Sequence, residues 1–112
     1  MVIEQTIRDY LLTKFQNVPI EVEEPTDAPS KYIVFRVIDQ GMENHIWAVT
    51  VEFFCYGSSV YEASSLNEEL KKTMLDIIEL DSIFSCELGG GGSDFNNDQK
   101  SYRYRSYFNL FY

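Results

Sequence analysis

The apolar residues of this chain recur with two different periods, and these periods predict its helices and strands. Over residues 2–16 they recur every three or four positions, which is typical of an amphipathic helix. The apolar stripe consists of Ile3, Ile7, Tyr10, Leu11 and Phe15. Asn17 and Pro19 end this helix, because proline disfavours helical geometry in the residue before it. Residues 20–22 can form a short strand, and an acidic, proline-rich loop then continues to Ser30.

Four segments rich in β-branched and aromatic residues predict strands. The first is residues 31–38, which a turn at 39–41 should end. The second, residues 45–56, alternates in polarity, so one side of it should face the core. That side consists of Trp47, Val49, Val51, Phe53 and Cys55. The last two strands are predicted at 82–88 and 101–112, separated by a glycine-rich loop.

A second helix follows the strand at 45–56. Ser59 and Glu62 have the spacing of a capping box, which marks a helix start. The helix is expected to reach Leu80, with a buried stripe of Ala63, Leu66, Leu70, Met74 and Ile77. The order is then helix, possible short strand, two strands, helix, two strands. This order predicts a single α+β domain over residues 1–112, with a mainly antiparallel four- to five-stranded sheet and both helices on one face.

The charge of the chain makes two classes of partner unfavourable. Eighteen acidic residues outnumber nine basic ones, so the net charge at pH 7 is −9. Nucleic-acid phosphates and anionic lipids repel such a chain, and we expect neither sequence-specific nucleic-acid binding nor membrane docking. No apolar run reaches the roughly 20 residues of a membrane-spanning helix. The N-terminal residues do not resemble a secretion signal, so we expect a cytoplasmic chain with Cys55 and Cys86 as buried free thiols.

The sequence patterns that would indicate catalysis or metal binding are all incomplete. The four glycines at 89–92 lead into an acidic stretch instead of the lysine of a phosphate-binding loop, and we expect 89–100 to be a mobile hairpin loop. The spacings of zinc sites and EF-hands are absent, and the single histidine, His45, is expected to be a solvated turn residue. The acids between Glu21 and Asp27 lie on a proline-broken loop, where we expect a solvated surface. We therefore expect no enzyme activity, no cofactor and no metal.

The long strands indicate contacts with other chains. A 12-residue strand spans ~40 Å at about 3.3 Å per residue, whereas a domain of this size has a radius of gyration of only ~13 Å. If the strands at 45–56 and 101–112 pair, one face mixes aromatics, arginines and an acid, as interfaces do. The interface candidates on that face are Glu52, Phe54, Tyr56, Arg103, Arg105, Tyr107 and Phe111. A solvated face with scattered aromatics is the alternative.

Seven short sequences follow the predicted elements over nearly the whole chain. They are Arg8-Asp9-Tyr10-Leu11, Val22-Glu23-Glu24-Pro25, Lys31-Tyr32-Ile33-Val34, Glu43-Asn44-His45-Ile46, Tyr61-Glu62-Ala63, Leu66-Asn67-Glu68-Glu69-Leu70 and Tyr102-Arg103-Tyr104. Together they resemble the tail terminator (tail-completion) proteins of long-tailed bacteriophages and prophages. The resemblance implies a structural virion protein, assembled in the bacterial cytoplasm, whose hexameric ring ends the tail tube and joins it to the head connector. It implies no catalytic residue.

The resemblance also implies partners. The ring would bind copies of itself, the tail tube protein and the head-completion or connector proteins, and DNA would pass through it without sequence-specific contacts. We expect loops 20–30, 39–45 and 89–100 to contact the neighbouring proteins, through Glu23, Glu24, Asp27, Gln40, Glu43, Asp94 and Asp98. The alternatives are a head-completion or other minor tail or neck adaptor, a small cytoplasmic enzyme, and a homodimeric host regulatory protein.

Overall fold

Eight segments of regular structure follow one another in the computed structural model, which describes residues 1–27, 29–93 and 102–112. They are helix α1 (Ile3–Lys14), strand β1 (Ile20–Glu21), strand β2 (Tyr32–Glu43), strand β3 (Ile46–Gly57), helix α2 (Val60–Leu75), a 3₁₀ turn (Asp76–Glu79), strand β4 (Ser85–Ser93) and strand β5 (Tyr102–Phe111). The predicted α+β class is confirmed, and so is the order of the elements.

The strands form one mixed sheet in the spatial order β1-β2-β3-β5-β4. β1 runs parallel to β2, and the other neighbours are antiparallel. β3 and β5 pair from Ala48–Phe111 to Gly57–Tyr102 and form the centre of the sheet. α2 connects β3 to the edge strand β4, and β5 returns between them. The sheet is therefore mainly antiparallel, as predicted.

The hydrophobic core lies between the two helices and one face of the sheet. Val49, Val51, Phe53 and Cys55 of β3 are buried there, together with the predicted stripes of α1 and α2. The ring of Phe53 lies at the centre: its centroid is 5.2 Å from that of Phe35 and 5.6 Å from that of Phe108. The helical and alternating periods of the sequence thus predict which sides of these elements are buried.

Trp47 was expected on the core side of β3 but is 37% exposed. The reason is the length of the β2–β3 hairpin, in which all residues from 38 to 47 are exposed. We call residues 38–47 the hairpin tip. Because this part of the hairpin extends past the core, the alternation that buries Val49 and Val51 no longer brings Trp47 against a helix.

The turn of this hairpin lies further along the chain than predicted. The sequence predicts it at 39–41, but β2 continues to Glu43 after a register irregularity. Asn44 and His45 form the turn, with φ of 52° and 64°. Positive φ at both central residues matches the twist of paired strands, and Asn and His adopt it more readily than most residues. The pairing with β3 thus overrides the local turn signal of the Asp-Gln-Gly sequence.

The glycine run lies in strand β4 and not in the predicted loop. Gly89–Gly92 are part of the strand that pairs with β5. Gly90 and Gly91 have φ of 154° and 157°, and a Cβ at Gly91 would overlap the carbonyl oxygen of Arg105. The lack of a side chain is thus what allows the two backbones to approach. Residues 94–100, the rest of the predicted loop, are outside the described residues.

Helix α2 begins as predicted and ends early. The amide of Glu62 donates to Oγ of Ser59 at 3.1 Å, and the carboxylate of Glu62 accepts from the amide of Ser58 at 3.0 Å. The helix ends at Leu75, before the predicted Leu80, and the 3₁₀ turn follows. The apolar stripe continues through the turn because Ile77 is still buried.

Candidate interaction surface on the sheet

The sheet face that points away from the core is the outer face, formed by alternate residues of β2, β3 and β5. No described helix packs on it. The register places all seven predicted interface residues there, as the opposite pairs Glu52–Tyr107, Phe54–Arg105 and Tyr56–Arg103, with Phe111 opposite Ala48 further along β5. The sequence therefore predicts which residues share this face. Their role in an interface remains a prediction.

Glu52 lies at the centre of the outer face and is only 4% exposed. Arg36 of β2 donates from Nε to its Oε1 at 2.7 Å and also contacts this oxygen through Nη2 at 2.7 Å. Nη1 of Arg105 lies 4.0 Å from Oε2. A carboxylate shielded from water is costly unless it is paired, so these arginines stabilise Glu52 in its position.

Arg36 is absent from the residues predicted for this face, although the sequence contains a signal for it. Alternation along β2 places it on the opposite side from the buried Phe35, and the register sets it directly across from Glu52. The predicted face combines β3 with the last strand alone. It therefore lacks Arg36 of β2, the arginine that contributes most to the pairing of Glu52.

Aromatic rings hold two of the arginines against the sheet. The guanidinium of Arg103 lies 4.7 Å from the ring centroid of Phe54, and that of Arg105 lies 4.9 Å from the ring of Tyr107. Such contacts contribute about 0.5–1 kcal/mol each at exposed sites. They also restrict the arginine side chains before any partner binds, which lowers the entropy cost of binding.

The acidic segment before β2 also contacts the outer face. The carboxylate of Glu24 accepts a hydrogen bond from the hydroxyl of Tyr56 at 2.7 Å and from that of Tyr32 at 3.2 Å. The two rings stack at 4.3 Å, and Nη1 of Arg103 donates to the Tyr56 hydroxyl at 3.0 Å. Burial, and then the nearby Glu24 carboxylate, raise the pKa of both phenols. Glu24, a predicted loop contact, is therefore part of the outer face.

A shallow cleft remains between this segment and the sheet. Its volume is about 400 Å³, and Arg36, Phe54 and Tyr56 line its sheet side. Glu23 lines its other side. The cleft has both charged and aromatic walls, so it suits a polar side chain of a partner.

The remaining partner-contact candidates lie in different parts of the chain. Asp27 is exposed in the turn before β2. Gln40 and Glu43 belong to the hairpin tip, and Asp94 and Asp98 lie outside the described residues. The structure therefore does not bring these candidates together into one site.

The hairpin tip is a second exposed surface, and its residues 39–45 are a predicted contact loop, but its apolar side chains are not among the predicted contacts. Its large apolar side chains are all exposed: Ile38, Met42, Ile46 and Trp47. Nε2 of Gln40 donates to the hydroxyl of Tyr112 at 3.4 Å, which joins the tip to the chain end. The sequence predicts a turn at 39–41, whereas β2 continues to Glu43. The prediction therefore does not show that these apolar side chains lie on one extended hairpin.

Groups with potential chemical reactivity are separated from one another. Among residues 1–27, 29–93 and 102–112, no three His, Cys, Asp or Glu side chains are placed to share a metal ion. Cys55 and Cys86 are free thiols, but Cys86 is only partly buried, in contrast to the prediction. Burial raises the pKa of both thiols, to about 12 for Cys86, where Glu87 adds to the effect. His45 is exposed in the hairpin turn.

Comparison with known proteins identifies no family for this chain. No protein-family model matches it, and no curated protein matches it at a significant level. In the part of the chain that the structure describes, neither helix has the length and apolar character that crossing a membrane requires.

Proposed function

We propose that this protein is a structural assembly protein of the tail-terminator type. In this proposal its copies join through the outer face into a ring, hexameric as in the family that the sequence resembles. The ring ends a phage or prophage tail tube and connects it to the head, after assembly in the bacterial cytoplasm. The observation that carries the proposal is the outer face, which the described helices leave uncovered and where arginines and aromatic rings are already fixed in place.

The composition of the outer face supports an interface more than a solvated surface. Arginine and tyrosine are the residues that most often dominate binding energies, and here they lie side by side on neighbouring strands. A standard interface covers about 800 Å² per partner. The chain exposes 6779 Å², so the two interfaces of a ring subunit would cover about a quarter of it.

The ends of the sheet support contacts with two further partners. Ala48 pairs with Phe111 near the hairpin tip, whereas Gly57 pairs with Tyr102 at the opposite end. The hairpin tip therefore lies at the opposite end of the sheet from Ser93 of β4 and Tyr102 of β5. In a ring with the strands along its axis, one end would face the tail tube and the other the head connector.

The proposal is tested by imaging and by binding. Electron microscopy of the concentrated protein should show closed rings, and the protein should cosediment with tail tubes that lack heads. Binding to the head connector alone would instead favour the head-completion adaptor. Rings that never form, with or without tail tubes, would contradict the proposal.

A matched pair of variants tests the role of the outer face. Tyr107→Ala removes an outer-face ring and should weaken self-association at least about tenfold, as truncation of a central aromatic residue often does. Tyr61→Ala removes a tyrosine on α2 that is 88% exposed and should leave self-association unchanged. Sedimentation velocity measures both, and equal effects would count against the outer face.

A further inference from the structure

The positive charge of this acidic protein is concentrated on the outer face. Three of the four arginines in the chain, Arg36, Arg103 and Arg105, lie together on the outer face beside Glu24 and Glu52, whereas Asp39 lies further along this face, opposite Thr50. This group of five residues carries a net charge of +1, whereas the whole chain carries −9, so the rest of the chain carries −10. A second copy therefore offers this group of arginines a surface of the opposite sign.

One acidic surface on the other side of the domain also exposes large apolar side chains. It lies where α2 passes into the 3₁₀ turn. Residues three apart in a 3₁₀ helix lie one above the other, so Leu75 and Ile78 form an apolar row beside the acidic row of Asp76 and Glu79. We call the exposed residues of this surface the acidic turn: Leu75, Asp76, Ile78, Glu79, Asp81 and Phe84.

We propose that the acidic turn of one copy docks on the outer face of the next copy. This inference rests on the proposed function and names the second half of its interface. Carboxylates would meet arginines, and the exposed apolar side chains, of which Phe84 is 68% exposed, would meet the aromatic rings. Because the two surfaces are different, the contact is head-to-tail, which is the kind that closes into rings.

Two other surfaces fit the outer face less well. The acidic segment 21–27 already contacts the outer face of its own chain through Glu24, so it belongs to the same side of the interface. The hairpin tip exposes apolar side chains but has only two acids, Asp39 and Glu43, and its turn contains His45. The acidic turn combines three acids with three large apolar side chains.

The variants are chosen to reverse charge without loss of folding. Asp76 and Asp81 are exposed and form no ion pair within the described residues, whereas Glu79 already binds Lys14 at 3.1 Å. The double variant Asp76→Lys/Asp81→Lys therefore reverses the charge of the acidic turn. It should still fold, because a cation at the C-terminal end of α2 interacts favourably with the helix dipole.

The charge of the outer face is reversed by a substitution at Arg105, because the contact of Arg105 with Glu52 is long, at 4.0 Å. Arg105→Glu keeps the closer pairing of Glu52 with Arg36. Circular dichroism checks whether the Arg105→Glu variant folds. If it does not fold, the Arg105→Gln variant is used in its place. Glu4→Lys is the control, because it reverses one charge in the first turn of α1, outside both surfaces and at the other end of this helix from Lys14, which binds Glu79.

Sedimentation velocity of each variant and of mixtures tests the inference. Each reversed variant alone should associate at least about tenfold more weakly than the wild type, because like charges now face each other. The Glu4→Lys control should associate like the wild type. An equal mixture of the two reversed variants should recover association, because each reversed surface meets one of opposite charge. With Arg105→Gln, the mixture should associate more strongly than either variant alone.

The failure of this inference is distinguishable from the failure of the proposed function. If the wild type forms rings but reversal of the acidic turn has no effect, or the mixture does not recover association, the inference is wrong and the ring proposal stands. If the wild type remains monomeric under all conditions and on tail tubes, both are wrong.

Discussion

Alanine at Gly91 would place a methyl group where β4 and β5 touch. Its Cβ would overlap the carbonyl oxygen of Arg105 and lie 2.9 Å from Cα of Ser106. Both atoms belong to the backbone of β5, which also pairs with β3 and so has little freedom to move. In addition, φ is 157° at this position, a conformation that side chains other than glycine rarely adopt. We therefore expect Gly91→Ala to destabilise the protein strongly.

Two costs combine in this variant. A residue other than glycine in such a conformation costs about 1–3 kcal/mol. An extra methyl group in a packed region costs typically about 1–3 kcal/mol more. The sum is about 2–6 kcal/mol, a large part of the roughly 5–15 kcal/mol by which small domains are stable. The midpoint of thermal unfolding should fall by about 10 °C or more.

The neighbouring glycines separate the two costs. Gly90 has φ of 154° but open space around it, so Gly90→Ala should show the conformational cost alone, about 1–3 kcal/mol. Gly92 has open space and no positive φ, so Gly92→Ala should change the free energy of unfolding by less than about 1 kcal/mol.

Thermal and urea unfolding, followed by circular dichroism, measure all three variants. The expected order of destabilisation is Gly91→Ala, then Gly90→Ala, then Gly92→Ala. Three equally small effects, as in a flexible glycine loop, would refute the assignment of these residues to strand β4.

Three further predictions concern single side chains. Glu52→Ala leaves the facing arginine unpaired and should lower the free energy of unfolding by about 1–3 kcal/mol. The exposed control Glu87→Ala should change it by less than about 0.5 kcal/mol, and equal changes in urea unfolding would contradict the pairing. Burial and a neighbouring carboxylate raise the pKa of Tyr56. Because the folded state then holds the phenol proton more tightly than the unfolded state, the free energy of unfolding should fall as the pH rises above about 10. Tyr56→Phe should make this fall shallower, and an unchanged slope would contradict the hydrogen bond. Cys55, whose pKa is raised by complete burial, should react with a thiol reagent only as fast as the protein unfolds, whereas Cys86 should react sooner; the reverse order would contradict the packing.

The parts of the fold that the sequence predicts well are those where a period repeats over a long element. The stripes of α1 and α2 and the alternation of β3 each depend on four or more apolar residues with regular spacing, and their buried sides are confirmed. The same alternation, extended to β5, predicts the residues of the outer face. Periodicity therefore predicts both the core and the candidate surface of this protein.

The parts that were predicted wrongly are those where a local signal competes with strand pairing. Residues 39–41 and 89–92 contain glycine and have the composition of a turn and a loop. In the structure β3 pairs with the first segment and β5 with the second, and both remain extended. The first pairing lengthens a hairpin between consecutive strands, and the second joins β4 to β5. Single-sequence patterns could not show which strands are neighbours.

Whether copies of this protein join through the outer face is tested most directly by the mass of the protein in solution. Light scattering coupled to gel filtration over a wide range of concentration measures it. Ring assembly predicts a defined species near six copies of the 13.1 kDa chain, or growth towards it as the concentration rises. A constant mass of one chain at every concentration, together with the absence of rings on tail tubes, would contradict assembly of this protein through its outer face.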